Sequence, residues 1–468
     1  MDMLTRSITL ISLVIILSGC QTSLTKEDSG SLPTTIDSAV AIAPHWQHKE
    51  NPQSSQSFDA QTWLLQFNDE RLNEFVATAI SNNPDLRTSA ANLAASIESA
   101  KATGAPLWPQ FDARLARTRT QSEIQTSGQT AYNSVYNASI NINWELDIWG
   151  KLSAQKKAAV LDAESQQANY TAARLALAAN IARAWYGINT LQLRLELAEK
   201  RLQSQTDTLE VIEEKYKSGT RTALEVYLNR TDLASQKASI IDLRDQLQQS
   251  IRNFKQLLGK YPDQQLAFEA QLPELNTPVP AGLPSELLTR RPDVLASMKQ
   301  WQSSKLSAKA ADRARFPSFS LTASYGASSE KLRLLDQETL LWNLVNNLTL
   351  PLFRGGQLKA QARQAEFLSD ASFNQYLSTL LTSFNEVETA LSSENYLSKQ
   401  TQAIEEAAYY SESGYQLAFE QYQSGLIEYT TLLESQRRWF DAQSNLINLK
   451  NTLLQNRIAL YLALGGDF

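Results

Sequence analysis

Cysteine and histidine are nearly missing from this chain of 468 residues, which has one Cys, at position 20, and two His, at 45 and 48. A lone Cys closes no intramolecular disulfide and builds no thiolate zinc cluster. Two His leave little for imidazole catalysis or metal binding, and His45 and His48 read as solvated residues flanking Trp46 rather than as a metal pair. Basic residues are not in excess either. With 43 Lys and Arg against 49 Asp and Glu the net charge is −6, the pI is near 5.3, and nothing draws the chain to nucleic acid. No phosphate loop, nucleophile elbow or metal-ligand cluster occurs, so the chain does not read as an enzyme and calls for no cofactor. Length alone would allow about three ordinary domains.

Long apolar runs are also absent, with one short exception. Ile8 to Leu17 is apolar, follows Arg6 and precedes Ser18-Gly19-Cys20. About ten residues are too few to span a bilayer and suit the core of a secretory signal. Leu17-Ser18-Gly19-Cys20 resembles a bacterial lipobox, which implies acylation of Cys20 as the mature amino terminus. Gln21 follows where Asp would retain such a lipoprotein at the inner membrane, so sorting to the outer membrane is expected. Acyl chains hold to lipid by burying methylenes, at about 0.8 kcal/mol per CH₂. The sequence therefore divides into a signal peptide (1–19) and a Ser-, Thr-, Gln- and Pro-rich lipid-anchored tether (20–60), followed by the body.

The body repeats itself. Tyr216-Lys-Ser-Gly219 recurs 206 positions later as Tyr422-Gln-Ser-Gly425, and Leu258-Gly259 recurs as Leu464-Gly465 at the same offset. Between these landmarks Leu233, Ile240, Leu247 and Phe254 fall every seven residues, and their partners Trp439, Leu446, Leu453 and Leu460 are all apolar. A first repeat (61–261) and a second (285–468) are joined by a strap (262–284) whose Pro262, Pro273, Pro278, Pro280 and Pro284 exclude a helix.

Each repeat carries two strand-like segments. Ala138, Ile140, Ile142, Trp144 and Leu146 alternate with polar residues in the first, and Phe319, Leu321, Ala323 and Tyr325 do so in the second. Weaker alternation marks Phe111, Ala113 and Leu115, and again Trp342, Leu344, Leu348 and Leu350. Period two means a sheet with one apolar and one polar face. Aromatic edges on the apolar face, with Asn, Ser and Thr on the other, match a barrel with lipid outside and water inside. Elsewhere the chain is helical. Lys151 to Tyr216 has no Pro and a single Gly, enough for ~100 Å of helix. A seam from Ile181 through Ile188, Leu195 and Leu202 to Ile212 has coiled-coil spacing, with Gln205 as its polar intruder. A return helix to Leu258 is expected, and the second half repeats the plan over 357–422 and from about Ile427 to Leu464.

Four strands cannot close a barrel, and open edges are not tolerated in lipid. Outer-membrane barrels begin at about eight strands. Copies must therefore associate, and three give twelve strands and a ring of about twelve helical lines. The expected fold is thus a mixed α/β membrane protein, a trimeric twelve-stranded β-barrel continued by a long α-helical coiled-coil tunnel.

At this level the chain resembles the outer-membrane efflux channels of the TolC superfamily, in the OprM/NodT-like lipoprotein branch. The matching stretches are Trp144-Glu-Leu-Asp-Ile-Trp-Gly150, Pro280-Ala-Gly-Leu-Pro-Ser-Glu-Leu-Leu288, Arg290-Arg-Pro-Asp-Val294, Arg315-Phe-Pro-Ser-Phe-Ser-Leu-Thr322 and the two Tyr-x-x-Gly turns. The resemblance implies a passive exit duct for drugs or other small molecules, working as a homotrimer in outer-membrane lipid with a periplasmic membrane-fusion adaptor and an inner-membrane pump of the resistance-nodulation-division class. It implies that Gly219, Thr220, Gly425 and Leu426 meet the adaptor at the periplasmic tip, although a Gly there also ends a helix. Glu225, Tyr422 and Glu434 match gate positions, while Thr431 and Ile427 stand where TolC has an acid and an Arg. Two other readings compete. One is a duct for type I protein secretion or metal efflux, and the other is a non-transporting coiled-coil envelope lipoprotein. Arg290, Arg291 and Asp293 read as the start of a helix, with Pro292 at its first position, as does Asn83-Pro-Asp85.

Overall fold

Two halves of equal plan lie end to end in the sequence. The first runs α1 (Glu70–Asn82), α2 (Pro84–Gly104), β1 (Gln110–Ile124), β2 (Gln129–Leu146), α3 (Lys151–Lys217) and α4 (Ala223–Leu257). The second runs α5 (Pro292–Arg313), β3 (Ser318–Ser329), β4 (Leu341–Thr349), α6 (Gln357–Gln423) and α7 (Tyr429–Ala463). α3 and α6 each have 67 residues, and α4 and α7 each have 35. The computed structural model describes residues 43, 46–47, 63–124, 129–263, 265–266, 268–275, 279, 282, 284–332 and 341–466. His45–Phe468 forms one unit and Met1–Pro44 another. Cys20, His45 and His48 lie outside the described residues.

The helix starts follow local chemistry. Asn83 precedes Pro84 at the first turn of α2, and its carboxamide oxygen accepts from the backbone N–H of Asp85 and Leu86 at 2.9 and 3.0 Å. Its amide donates to the carbonyl of Leu257 at the end of α4, so one buried side chain ties two helix ends together. α5 likewise has Pro292 at its first position and Asp293 in its first turn. Arg291 just before it is buried and forks onto Asp293 and Glu386 at 2.7 and 2.6 Å.

The four strands form one antiparallel sheet in the order β1-β2-β3-β4. Phe111 pairs with Ile142, Ala113 with Ile140, Phe319 with Leu348 and Tyr325 with Trp342, so the apolar positions share one face. Asn141, Asn143, Ser320, Thr322, Asn343 and Asn347 share the other. The apolar face is exposed, with Leu115 at 70% and Trp342 at 75%. Among the described residues nothing pairs with the outer edges of β1 and β4. Among the described residues no helix is long and apolar enough to cross a membrane.

The principal core joins both halves below the sheet. Trp63, Phe67, Tyr186 and Tyr461 form an aromatic cluster with ring centroids 5.6–6.1 Å apart. The connector between the halves lies on it: Phe268 meets Trp185 at 5.3 Å, and the N–H of Gln271 donates to Asn189. Trp46 is also buried there, against Phe384, while the N–H of Gln47 donates to Glu388. A buried ion pair sits beside this core, with Glu394 accepting from Arg457 at 2.8 Å and from Asn456 at 2.8 Å. The seam of α3 buries Ile181, Ile188, Leu195, Gln205 and Ile212, and leaves Tyr216 half exposed.

Candidate functional site

The far ends of the two long hairpins come together as a small separate core. α3 ends when Gly219 takes φ +75, so that Gly219 N–H bonds Tyr216 O at 2.9 Å and Thr220 N–H bonds Lys215 O at 2.9 Å. α6 ends the same way at Gly425, with φ +76 and the bond from Leu426 N–H to Gln421 O. Only glycine adopts this left-handed backbone without strain, which accounts for Tyr-x-x-Gly in both turns.

Chemistry differs between the two turns. Tyr422 is fully buried, with Ile212, Val226, Tyr429 and Leu432 around it. Its hydroxyl donates to Glu225 Oε2 at 3.4 Å. Arg221 lies over its ring at 5.4 Å and reaches Glu428 Oε2 at 2.8 Å and the carbonyl of Ile427 at 3.3 Å. Arg221 is also 3.9 Å from Glu225 Oε1. Lys215 lies near the same ring, 4.8 Å from its centre, and donates to the carbonyls of Tyr422 and Gln423 at 2.7 and 3.0 Å. A cation from one hairpin thus satisfies the last carbonyls of the other hairpin's helix. Burial, and then the Glu225 carboxylate, push the Tyr422 phenol up to about 12, against an opposing pull from Arg221. Burial also pushes Tyr429 up, while the hydrogen bond from Asn229 pulls it down.

A second polar layer crosses between the hairpins farther from the turns. Ser204 shares a 2.6 Å hydrogen bond with the Tyr415 hydroxyl and accepts from Gln436 at 2.8 Å, and Tyr415 stacks on Trp439 at 4.8 Å. Glu434 does not join either layer. It is held by Arg437 and Arg438 of its own helix at 2.6 and 2.9 Å, which lower its pKa together.

Of the residues singled out from the sequence, the structure brings Glu225 and Tyr422 into contact and leaves Glu434 apart. Gly219, Thr220, Gly425 and Leu426 occupy the two turns, and Leu426 is 75% exposed, with Leu224 and Tyr227 at the start of α4 exposed as well. Lys215, Arg221 and Glu428 were not visible as site residues. Arg221 and Glu225 stand at i and i+4, a spacing that signals a helix pair but not the tyrosine lying between two hairpins. Among the described residues no cluster of His, Cys, Asp and Glu could hold a metal.

The family model described as "Outer membrane efflux protein" matches residues 76–260 and 283–466, that is, both halves. The chain belongs to this family. Two relatives are the toluene efflux pump outer membrane protein TtgF of Pseudomonas putida and the pyoverdine export outer membrane protein OpmQ of Pseudomonas aeruginosa. TtgF is 28% identical, over 88% of this chain and 87% of its own. OpmQ is 27% identical, over 99% and 97%. Among solved structures the Campylobacter jejuni CmeC outer membrane channel superposes with a TM-score of 0.84 at 23% identity, covering 90% of this chain and 91% of that one. The four-stranded sheet with four long helices is the TolC-like channel fold of this family.

Proposed function

We propose that three copies of this chain pool their sheets into a twelve-stranded barrel through the outer membrane and their helices into a tunnel across the periplasm. The assembly is the exit duct of a tripartite efflux system, conducting small molecules passively from an inner-membrane pump and a periplasmic adaptor to the exterior, with no chemistry of its own. One observation carries this reading. A sheet whose apolar face is exposed and whose β1 and β4 edges are open has no stable place in lipid as a single copy. Joining β1 of each copy to β4 of the next removes every edge and faces Asn, Ser and Thr inward. Toluene and pyoverdine appear in the relatives' names, which supports small organic solutes as the cargo. An acyl group on Cys20 would add a second hold on the membrane.

The two turns, with Gly219, Thr220, Gly425 and Leu426 and the exposed Leu224 and Tyr227, form the surface that meets the adaptor. Tyr422 and Glu225, fastened by Arg221, form the closure of the periplasmic end. Glu434 adds a carboxylate whose charge Arg437 and Arg438 outweigh, and its part in the gate is to hold those two cations. The test is electrophoresis without boiling and conductance in a planar bilayer. Heat-resistant trimers with ion conductance are expected. A non-conducting monomer with helical signal only would instead mark a coiled-coil envelope lipoprotein.

A further inference from the structure

The lipid-facing side of the sheet is largely apolar, with single polar residues such as Asn346 opposite Leu321, and among the described residues it carries cations at one place only. On β1 the outward positions run Phe111, Ala113, Leu115, and then Arg117 and Arg119. Both arginines are exposed. Neither has an ion-pair partner among the described side chains. Each lies over an aromatic ring of β2 instead: Arg117 is 5.3 Å from the centre of Tyr136, directly opposite in the ladder, and Arg119 is 5.0 Å from the centre of Tyr132, on the diagonal.

Height decides what these cations meet. A strand tilted about 40° climbs about 2.5 Å per residue. Arg117 and Arg119 therefore stand about 23 and 28 Å above Trp108, the exposed aromatic residue that precedes β1 at the helical end. The apolar band of such barrels is about 25 Å tall. A cation on the outward face is costly at the bilayer midplane and nearly free at its boundary. The two arginines thus flank the far boundary, where the headgroups of the outer leaflet begin. A cation–π contact with a tyrosine uses none of a guanidinium's N–H donors, which remain available to a bidentate acceptor.

We propose that Arg117 and Arg119, placed over Tyr136 and Tyr132, bind the phosphate group of an outer-leaflet lipid on the outside wall of the barrel. Two neighbouring cations without an ion-pair partner among the described side chains complement a doubly charged phosphomonoester better than a zwitterionic headgroup. The site would anchor the barrel vertically at its outer boundary. It rests on the outer-membrane reading given above.

Native mass spectrometry of the full detergent-purified chain tests the site, with diphosphoryl lipid A and its dephosphorylated form as probes. Retention of the phosphorylated lipid should fall about tenfold in the double variant R117Q/R119Q. The dephosphorylated lipid should bind the parent protein and the variant equally weakly. R117K/R119K, which keeps the charge without the planar fork, should retain an intermediate amount. Equal retention of phosphorylated lipid by the parent protein and R117Q/R119Q overturns the proposal. So does a variant that loses only its oligomeric state, because the arginines would then meet carboxylates of a neighbouring copy. Failure of the outer-membrane reading shows separately, as absence of conductance in the unsubstituted protein.

Discussion

Tyr216 and Tyr422 hold the same place in the two halves of the chain but lie in opposite surroundings: Tyr216 is 48% exposed, whereas Tyr422 is fully buried under Arg221 with its hydroxyl on Glu225. The duplicated sequence supplies both tyrosines, and the residues around them have since diverged. Thr222 and Thr431 stand where the other half has Glu428 and Glu225, and Ile427 where it has Arg221. The lock is therefore single, and it fastens the second hairpin to the first.

Replacing Tyr422 with Phe should weaken this lock, while the same change at Tyr216 should do nothing. The hydrogen bond to Glu225 is long, so a loss of about 0.5–1 kcal/mol is expected. Arg221→Ala should cost more, about 1–2 kcal/mol, because it leaves the mostly buried Glu225 without its cation. In a planar bilayer both changes should raise single-channel conductance relative to Tyr216→Phe. Equal conductance in all three variants would remove the tyrosine from the closure.

Alkaline pH should act on the same residue. The Tyr422 phenol is pushed up to about 12, so the folded tip favours the neutral form. The corresponding stabilisation is complete below the ordinary tyrosine pKa of about 10 and is lost as pH rises toward 12. A difference titration of phenolate absorbance, parent protein minus Tyr422→Phe, should show one group ionising near 12. A group ionising near 10 would mean that the hydroxyl is solvated.

Gly326 should tolerate no side chain. It lies opposite Ser139 in the β2–β3 ladder, and a Cβ there would run into the carbonyl oxygen of Ala138. Since the neighbour is backbone, the strands would have to part. Gly326→Ala should lower the temperature at which the β-sheet signal is lost in detergent, and Gly326→Val should lower it further. Gly414, where nothing lies within 4 Å of an added Cβ, is the matched control.

Glu394→Gln should destabilise the principal core by about 3 kcal/mol, because it strips the charge that balances Arg457, which is 5% exposed. Burial works against the charge of Arg457, and Glu394 keeps its pKa raised. The denaturation midpoint of the helical signal measures this loss. An unchanged midpoint would mean that water reaches the guanidinium.

Where apolar periodicity was strong, the structure was legible in advance. The ends of α3 and α6 fall within a residue or two of the expected Tyr216 and Tyr422, because Gly219 and Gly425 stop both helices. The strands were under-read at their outer ends. β1 continues to Ile124, well past Leu115, because Arg117 and Arg119 interrupt the apolar alternation on the outward face. Trp46, in a stretch read as tether, is buried against Phe384, a contact between residues more than 300 positions apart that no local pattern encodes. The Arg221 lock was hidden for the same reason, since Glu225 and Tyr422 meet only when the hairpins pack.

Helices of 67 and 35 residues in both halves put the two hairpin turns at equal depth. A threefold assembly would then finish in six corners on one level rim. Three of them would carry the Lys215–Arg221 cations and three the Glu428 carboxylate. A partner ring of sixfold symmetry could seat on every corner but would feel two alternating kinds of grip, so the basic and the acidic corners could let go in separate steps.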